Sequence, residues 1–328
     1  MNYPSGGQVP PIKDAEFADR IKTIHENLEK YRQCGFVDAY DGLSLRYHYF
    51  LCENPVGTVV IIHGYTEFSI KYEEIIYYFL EAGYHCFIFD ERSHGHSGSG
   101  VEDRNYNHVE SFDEYAKDLN TIMESVVRPN CGGGDIYLYT HSMGGAIALW
   151  YLHDYKPSDV KKAILSSPMV VPKMVKNIPI PIVKMALSKY AREDGWNAPF
   201  RHTSHFNPNP DFTTSHDCSK ARFDHNLALR LSDPNYQNSG STNSWLRECL
   251  RVPEVIPKKK YLSAIPQEIL LMEAGIDNVV RTEKYGKVAK YLPNCTHSVY
   301  PTSRHSIYNS EDSVLVRYWN EVFEFLKK

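Results

Sequence analysis

The sequence lacks a long apolar segment and a strong charge bias. No run of about 18 or more apolar residues occurs in the 328-residue chain, so no segment is predicted to span a bilayer. The 36 Lys and Arg residues are balanced by 40 Asp and Glu residues, and the net charge is −4. Because nucleic-acid-binding proteins usually carry a basic excess, this balance argues against a nucleic-acid partner.

The sequence also lacks the signals of a secreted, disulfide-stabilised protein. The N-terminal stretch has no basic region followed by an apolar one, so no secretory signal is predicted. Seven cysteines are scattered along the chain without any Cys-x-x-Cys spacing. This usage favours reduced thiols in a cytoplasmic protein. With 42% hydrophobic residues, the chain can bury a core large enough to exclude a disordered protein.

What the sequence does have is a repeated alternation of strand and helix patterns. Short apolar runs predict strands at 58–63, 84–90, 135–140, 162–166, 268–273 and 295–300. Helical patterns lie between them, including 70–82 and 279–292, and a capping box at Ser111–Glu114 predicts the start of another helix. Residues 35–50 predict a β-hairpin around Asp41-Gly42. This order predicts an α/β fold, with a mostly parallel sheet flanked by helices.

The alternation is interrupted once. Residues 168–260 are rich in Pro, Asn and His and predict an inserted cap, which leaves 1–167 and 261–328 as the core. Within the cap, 169–192 holds five basic residues and no acidic one: Lys173, Lys176, Lys184, Lys189 and Arg192. Such a segment suits an acyl chain on one side and anionic headgroups on the other, hence peripheral contact with a membrane surface. A lid helix with solvated lysines explains the pattern equally well.

A candidate nucleophile lies between a predicted strand and a predicted helix. Ser142 in Thr140-His-Ser-Met-Gly-Gly145 stands where a sharp strand-to-helix turn would expose its hydroxyl, and Gly144 allows the backbone to cross closely. The backbone N–H of Met143 can stabilise an oxyanion. Thr140 departs from the usual G-x-S-x-G pattern, which has Gly there. Because Gly is smaller, we expect Thr140→Gly to be tolerated.

A serine nucleophile needs a base and an acid that orients the base. In this architecture the chain order is Ser, acid, His. Asp277 lies in the loop after the predicted strand 268–273, whereas its rival Glu273 is still at the strand end. His305 follows the last predicted strand, and His297 lies inside that strand. The pattern therefore favours Asp277 and His305.

Two further loops follow predicted strands. In His63-Gly64-Tyr65, Gly64 lets the loop turn close to the nucleophile, His63 supports it, and the N–H of Tyr65 is the second candidate oxyanion donor. His94 and His96 follow the next strand, but no acid or Cys nearby completes a metal site. The cap residues His202, His205, His216, Cys218 and His225 match no common zinc spacing. We therefore predict no metal and no cofactor.

Together these segments resemble the α/β-hydrolase superfamily, and within it the bacterial lysophospholipase and monoacylglycerol lipase branch, also labelled serine aminopeptidase-like. The resemblance rests on HGYTEFSIKYEE, FDERSHGHSG, THSMGGAIAL, SSPM, AGIDNVV and SRHSIY in family order, and covers about 58–168 and 265–328. The cap is more loosely similar to lysophospholipase caps. Carried over residue by residue, the resemblance implies a nucleophile, a base, its acid and two oxyanion donors: Ser142, His305, Asp277, Tyr65 and Met143.

The sequence thus predicts a carboxylic ester hydrolase that cleaves single-chain lipid esters, such as lysophospholipids or monoacylglycerols, through an acyl-enzyme. Two alternatives stay open. One is a small-ester esterase or an aminopeptidase, in which cap acids would hold a free amine: Glu193, Asp194, Asp211 and Asp217. The other is a non-catalytic binding protein on a hydrolase fold, against which the complete set of candidate catalytic residues argues.

Overall fold

The computed structural model describes residues 1–173 and 180–328, and its centre is the predicted, mostly parallel sheet. The sheet has eight strands in the order β1-β2-β4-β3-β6-β7-β9-β10, and only the pairings of β2 are antiparallel. A small parallel pair, β5-β8, lies outside it. The strands are β1 (Gln33–Asp38), β2 (Ser44–Phe50), β3 (Gly57–Ile62), β4 (Tyr84–Phe89), β5 (Tyr106–Asn107), β6 (Ile136–His141), β7 (Val160–Ser166), β8 (Gly240–Ser241), β9 (Glu268–Ala274) and β10 (Cys295–Tyr300).

The chain has helices on both faces of this sheet and in the segment between β7 and β9. They are α1 (Asp14–Glu29), α2 (Glu73–Glu81), α3 (Asp113–Ile122), α4 (Arg128–Asn130), α5 (Met143–Tyr155), α6 (Ile180–Asp194), α7 (Lys220–Ser232), α8 (Asn243–Cys249), α9 (Val252–Val255), α10 (Lys259–Leu262), α11 (Tyr285–Tyr291) and α12 (Asp312–Lys327). Short 3₁₀ turns lie at Ser69–Tyr72, Phe212–Thr214, Pro234–Tyr236, Thr282–Lys284 and Ile307–Asn309, and a π-helical turn at Met123–Val127 joins α3 to α4.

Alternate residues of the central strands point into two separate cores. Val60 and Ile62 of β3 pack with α3, α5 and α11 on one face. Their neighbours Val59 and Ile61 pack with α1, α2 and α12 on the other. Because both faces are covered, β4 and β6 are buried along their whole length. The sequence shows them as continuous apolar runs for the same reason.

The hairpin prediction is confirmed, and so is the helix predicted to begin at Ser111–Glu114, since α3 begins at Asp113; the capping box itself and a second helix start need correction. Strands β1 and β2 pair antiparallel around Gly42, whose φ is +82°. The capping box does not form: the cap position Phe112 makes no side-chain cap bond, and the Glu114 carboxylate instead accepts the N–H of Glu110 at 3.1 Å and pairs with Arg92. The Glu114 carboxylate therefore forms an ion pair with the buried Arg92 instead of the hydrogen bond of a capping box.

The helix predicted at 279–292 begins only at Tyr285. Val280 instead forms an antiparallel bridge with Pro172, and the N–H groups of Val279 and Val280 donate to the Asp277 carboxylate at 2.7 and 2.9 Å. These bonds hold the start of the segment in an extended conformation. The side-chain turn at Asp277 thus competes successfully with the helix.

The segment between β7 and β9 contains α6 to α10. Leu187 of α6 packs against Leu246 and Leu250 in a small apolar cluster of its own. Farther along, Trp245 and Val252 belong to one of the two cores of the sheet. The division of the chain into a core and a cap at 168–260 remains a prediction. None of the helices in the described ranges combines the length and hydropathy that spanning a bilayer would require.

Candidate active site

Ser142 occupies a strained turn between β6 and α5. Its φ and ψ are +52° and −114°, outside the regions that a residue with a side chain ordinarily adopts. The turn is fixed from both sides, since the Ser142 N–H donates to the Ser166 carbonyl at 3.0 Å and the Ser142 carbonyl accepts from Met169 at 2.8 Å. A strained, fully bonded turn of this kind holds a serine hydroxyl at the sheet edge.

Small residues are required beside this turn. A Cβ on Gly144 would lie 2.2 Å from the Ile62 carbonyl oxygen, and one on Gly145 would lie 2.5 Å from the Pro168 Cβ. Both positions therefore exclude a side chain. Thr140 fits in the place of the usual Gly because its buried hydroxyl donates to the Ile164 carbonyl of β7 at 2.9 Å. Replacing this residue removes a bond, contrary to the expectation from size alone.

The structure brings Ser142, His305 and Asp277 together. The His305 Nε2 lies 2.8 Å from the Ser142 Oγ, and the His305 Nδ1 lies 2.7 Å from the Asp277 Oδ2. All three side chains are buried. Each follows a different strand of the sheet, β6, β10 and β9, at its carboxyl end. The arrangement is a hydrogen-bonded relay in which a hydroxyl can transfer its proton to a neutral imidazole.

Burial and hydrogen bonding set the charge states of this relay. Burial lowers the pKa of His305, although the bond to Asp277 opposes the shift. Burial alone would raise the pKa of Asp277, but the bonds from His305 and from the Val279 and Val280 N–H groups hold it below its ordinary value. At neutral pH the pair is therefore a neutral imidazole beside a carboxylate, as a general base requires.

The rival acid lies outside this relay. Glu273 is part of β9, and its Oε2 lies 2.8 Å from the Nε2 of His297 on the neighbouring strand β10. The two residues form a partly exposed pair on the sheet surface. Glu273 and His297 are thus hydrogen-bonded to each other, and neither is bonded to Ser142.

Gly64 brings the loop after β3 against Ser142. A Cβ on Gly64 would lie 3.2 Å from the Ser142 Cβ and 2.9 Å from the His141 Nδ1. The next residue, Tyr65, has no acceptor for its N–H in the part of the chain that the structure describes. Met143 is the first residue of α5, where backbone N–H groups lack intrahelical acceptors. Both candidate oxyanion donors thus flank the serine with N–H groups that can bind an oxygen.

His63 is hydrogen-bonded to this loop and to the loop after β4. Its Nδ1 lies 2.7 Å from the Gly64 carbonyl oxygen, and its Nε2 accepts the Glu91 N–H at 2.9 Å. These two bonds fix the tautomer, with the proton on Nδ1. Burial lowers the pKa of His63, so the ring is neutral. His63 therefore connects the loop after β3 to the loop after β4.

A buried cluster around Glu67 was missed by the sequence reasoning. The Glu67 Oε2 accepts bonds from the Gly64 N–H and the Tyr72 hydroxyl, both at 2.6 Å, and lies 3.0 Å from the His141 Nδ1. Its other oxygen pairs with Lys71 and accepts the Tyr308 hydroxyl at 2.8 Å. One signal was present, since a carboxylate three residues after Gly64 in a loop can reach back to that residue's N–H.

A cavity of about 410 Å³ opens onto Ser142 and His305. The loop after β3 forms one side of it, through Tyr65 and Phe68. The predicted cap forms another, through residues 205–217 and the helix α7. A pocket of this size is within the range of small-molecule sites.

The histidines considered as metal ligands after β4, His94 and His96, form hydrogen bonds with other protein groups. The His94 Nδ1 lies 2.9 Å from the Arg92 carbonyl oxygen, and the His96 Nε2 lies 2.8 Å from the Asp233 carboxylate. Within the described ranges, one group of three potential ligands comes together, formed by His25, Glu29 and Glu73. Arg32 already pairs with both of those carboxylates. That group contains none of the cap residues considered above as zinc ligands, which are His202, His205, His216, Cys218 and His225.

Comparison with known sequences agrees with the predicted family. Residues 53–312 match the family described as serine aminopeptidase, S33. Lysophospholipase L2 of Escherichia coli K12 is 27% identical over 261 residues, which cover 79% of this chain and 75% of that protein. The monoglyceride lipase of Saccharomyces cerevisiae is 22% identical over 312 residues, covering 89% of this chain and 92% of that protein. The prediction of a carboxylic ester hydrolase is confirmed.

Solved structures show the same fold. A soluble variant of the Saccharomyces cerevisiae monoglyceride lipase superposes with a TM-score of 0.70 at 18% identity, covering 90% of this chain and 96% of that one. A thermostable carboxyl esterase from Bacillus coagulans gives a TM-score of 0.71 at 17% identity, covering 90% and 98%. The predicted fold class is confirmed. The chain belongs to the serine aminopeptidase S33 family of the α/β-hydrolase superfamily.

Proposed function

We propose that the protein hydrolyses single-chain lipid esters through an acyl-enzyme, with Ser142 as the nucleophile. The observation that carries this proposal is the 2.8 Å contact between the Ser142 Oγ and the His305 Nε2. His305 takes the hydroxyl proton as Ser142 attacks the ester carbonyl, and returns it to the leaving alcohol. A water molecule, activated by the same base, then releases the fatty acid.

Asp277 and the two backbone donors complete the proposed mechanism. Asp277 holds the His305 ring in the orientation and tautomer that present Nε2 to the serine, and stabilises the imidazolium that forms. The N–H groups of Tyr65 and Met143 bind the negative oxygen of the tetrahedral intermediate. One such donor contributes about 3–4 kcal/mol to lowering the barrier.

The cavity supports a single-chain substrate. Apolar and aromatic side chains line part of it, including Phe68, Phe206, Phe223, Leu227 and Val279. A cavity of about 410 Å³ can hold one acyl chain near the serine but has little room for three chains. The lysophospholipase and monoglyceride lipase relatives support the same substrate class.

We also propose that α6 contacts a lipid surface. Ile182 and Met185, one helical turn apart, are 51% and 69% exposed. Lys189 continues this exposed surface. Not all of the basic residues in 169–192 are free for such contact, since Lys173 donates to the Asp277 carbonyl and Lys184 pairs with Glu254. Lys176 lies outside the described residues. Each available cation near an anionic surface contributes about 1 kcal/mol.

An aminopeptidase would need free carboxylates in the cavity. Glu193 and Asp194 both pair with Arg201 on the exposed surface. Asp217 accepts the Asn309 amide at 2.9 Å, and Asp211 caps the turn at Thr213. Asp211 and Asp217 do line the cavity, so a substrate amine is an alternative ligand for this wall.

One substrate panel tests these assignments. We would measure kcat/KM for a lysophospholipid, a monoacylglycerol, a triacylglycerol, a short p-nitrophenyl ester and an aminoacyl anilide, at low and high salt. The proposal predicts that the two single-chain lipids are the best substrates and that activity on anionic vesicles weakens with salt. Preference for the anilide would establish the aminopeptidase reading instead. Turnover of only the short ester would contradict the lipid assignment.

A further inference from the structure

We propose that the cavity contains a phosphate-binding subsite formed by Arg230 and Asn226, and that the preferred lipid ester carries a phosphate-bearing headgroup. This inference rests on the proposed function, because it places the subsite in the cavity that opens onto Ser142. In a lysophospholipid, three glycerol carbons connect the ester to the phosphate. A phosphate-binding group must therefore lie in the same cavity as the nucleophile.

One face of α7 forms a wall of this cavity. Phe223, Asn226, Leu227 and Arg230 are spaced three or four residues apart, so they share one face of the helix, and all four line the cavity. Phe223 and Leu227 supply apolar surface. Asn226 and Arg230, one turn apart, supply polar groups. The same helix face can therefore contact both the apolar part and the headgroup of a lipid.

Arg230 has no carboxylate partner in the ranges that the structure describes. Its Nε donates to the Tyr236 carbonyl at 2.9 Å, and its Nη2 donates to the Asn238 carbonyl at 2.7 Å. The guanidinium also lies over the Phe206 ring, 4.8 Å from its centre. Because a guanidinium carries five N–H bonds, donors remain for a ligand.

The contrast with Arg222 shows what is unusual about Arg230. Arg222 lies on the same helix, and its guanidinium is neutralised by the carboxylate of Glu74. Burial lowers the pKa of Arg230 to about 10, and the negative charge of Glu67 opposes this shift. Arg230 still carries its charge at neutral pH. It is therefore a partly buried cation whose charge an anionic ligand can neutralise.

Asn226 adds a second polar group with unused capacity. Its side-chain amide makes no hydrogen bond to any part of the protein that the structure describes, although it is only partly exposed. An amide N–H next to a guanidinium is a suitable pair of donors for phosphate oxygens, and Arg–phosphate bonds are among the stronger charge-assisted hydrogen bonds.

The carboxylates that line the cavity indicate which headgroup charges it can bind. Glu67 is neutralised by Lys71 and by the buried bonds around it. Asp211 accepts the Thr213 N–H at 2.8 Å, and Asp217 accepts the Asn309 amide. Both aspartates line the cavity, and neither is paired there with a Lys or Arg of the described residues. A zwitterionic headgroup is complementary to these charges, because its phosphate can bind Arg230 and its ammonium group can bind an aspartate.

The test compares two lipids with the same acyl chain, lysophosphatidylcholine and monoacylglycerol. The readout is the ratio of their kcat/KM values in wild type and in Arg230→Met. We expect this ratio to fall about 10- to 100-fold, as loss of a charge-assisted hydrogen bond implies. Lys220→Met is the matched control, since Lys220 is an exposed cation of the same helix, paired with Asp224. Its ratio should match wild type.

A second variant covers the case in which Arg230→Met fails to fold, since that change leaves the Tyr236 and Asn238 carbonyls without a donor. Asn226→Ala removes no bond to the described protein and should lower the ratio about threefold to tenfold. An unchanged ratio in the folded variants would overturn the subsite. So would a wild-type enzyme that cleaves monoacylglycerol but not lysophosphatidylcholine. Failure to cleave either lipid would instead contradict the proposed function.

Discussion

The carboxylate of Glu67 accepts a 2.6 Å hydrogen bond from the backbone N–H of Gly64. Gly64 directly precedes Tyr65, a proposed oxyanion donor, and the same Glu67 oxygen lies 3.0 Å from the ring of His141, next to Ser142 in the chain. Burial opposes the charge of Glu67, but Lys71 and His141 hold its pKa well below the ordinary value. A buried anion thus fixes the loop and the nucleophile turn relative to each other.

We predict that Glu67→Ala lowers both activity and stability. Without the bond to Gly64, the loop no longer holds the Tyr65 N–H in place, and loss of one oxyanion donor costs about 10²–10³ in kcat. Removing one partner of a buried ion pair leaves Lys71 uncompensated, which costs about 3 kcal/mol of unfolding free energy. Urea unfolding and turnover of a soluble p-nitrophenyl ester measure the two effects. Glu124→Ala is the control, since Glu124 is an exposed carboxylate. A wild-type kcat in folded Glu67→Ala would refute the role of Glu67 in positioning the loop.

Asp277→Asn should reduce kcat far more than Glu273→Gln. The neutral amide does not stabilise the imidazolium, and its NH₂ can donate to an unprotonated Nδ1 and so favour the wrong tautomer of His305. In other serine hydrolases this change costs about 10⁴ in kcat. Glu273 contacts His297 on the partly exposed sheet surface, so its replacement should change kcat less than about threefold. Steady-state kinetics on one soluble ester compares the two variants. Losses of equal size would mean that Asp277 does not orient the base.

The acid limb of the pH profile should report His305. Because burial lowers the pKa of this ring below the ordinary value of about 6.5, the base stays neutral, and active, to a lower pH than an exposed histidine would. As the pH falls through the lowered pKa, the imidazole becomes protonated and kcat/KM should fall. Removing Asp277 removes the interaction that raises this pKa, so residual activity of Asp277→Asn should shift to still lower pH. An apparent pKa above 6.5 in wild type would contradict this assignment.

Thr140→Gly should cost stability while leaving the nucleophile in place. The variant loses the hydrogen bond to the Ile164 carbonyl and gains backbone freedom in the unfolded state, at about 1 kcal/mol each. We expect the unfolding free energy to fall by about 2 kcal/mol, measured in urea. Thr140→Ser keeps the hydroxyl and should lose less. A Gly variant as stable as wild type would show that the bond between β6 and β7 contributes nothing net.

The sequence predicted those features that have a local signature. Ser142, Asp277 and His305 each follow an apolar strand, and carboxyl ends of parallel strands meet at one sheet edge, so their proximity could be expected. Glu67 was not singled out, because only its bonds to nearby residues such as Gly64 are local, whereas its partners His141 and Tyr308 come from distant segments.

Non-local contacts also contribute to the absent capping box and to the late helix start. The capping box at Ser111–Glu114 is lost to Arg92, which follows β4. The segment from Val279 is held extended by a bridge between Val280 and Pro172, in addition to the local bonds to Asp277. Arg92 and Pro172 both lie outside the local window from which a helix is predicted. Thr140 is a related case, since its hydroxyl bonds to a residue of the adjacent strand.

Covalent labelling with a fluorophosphonate tests the central claim, that Ser142 is the nucleophile, most directly. Intact-mass and peptide analysis should show one adduct per folded chain, on the peptide that contains Ser142, and none in Ser142→Ala with unfolding behaviour like wild type. Ser215→Ala, which alters another serine of the same cavity, should label fully. Labelling of folded Ser142→Ala at wild-type stoichiometry would contradict the account.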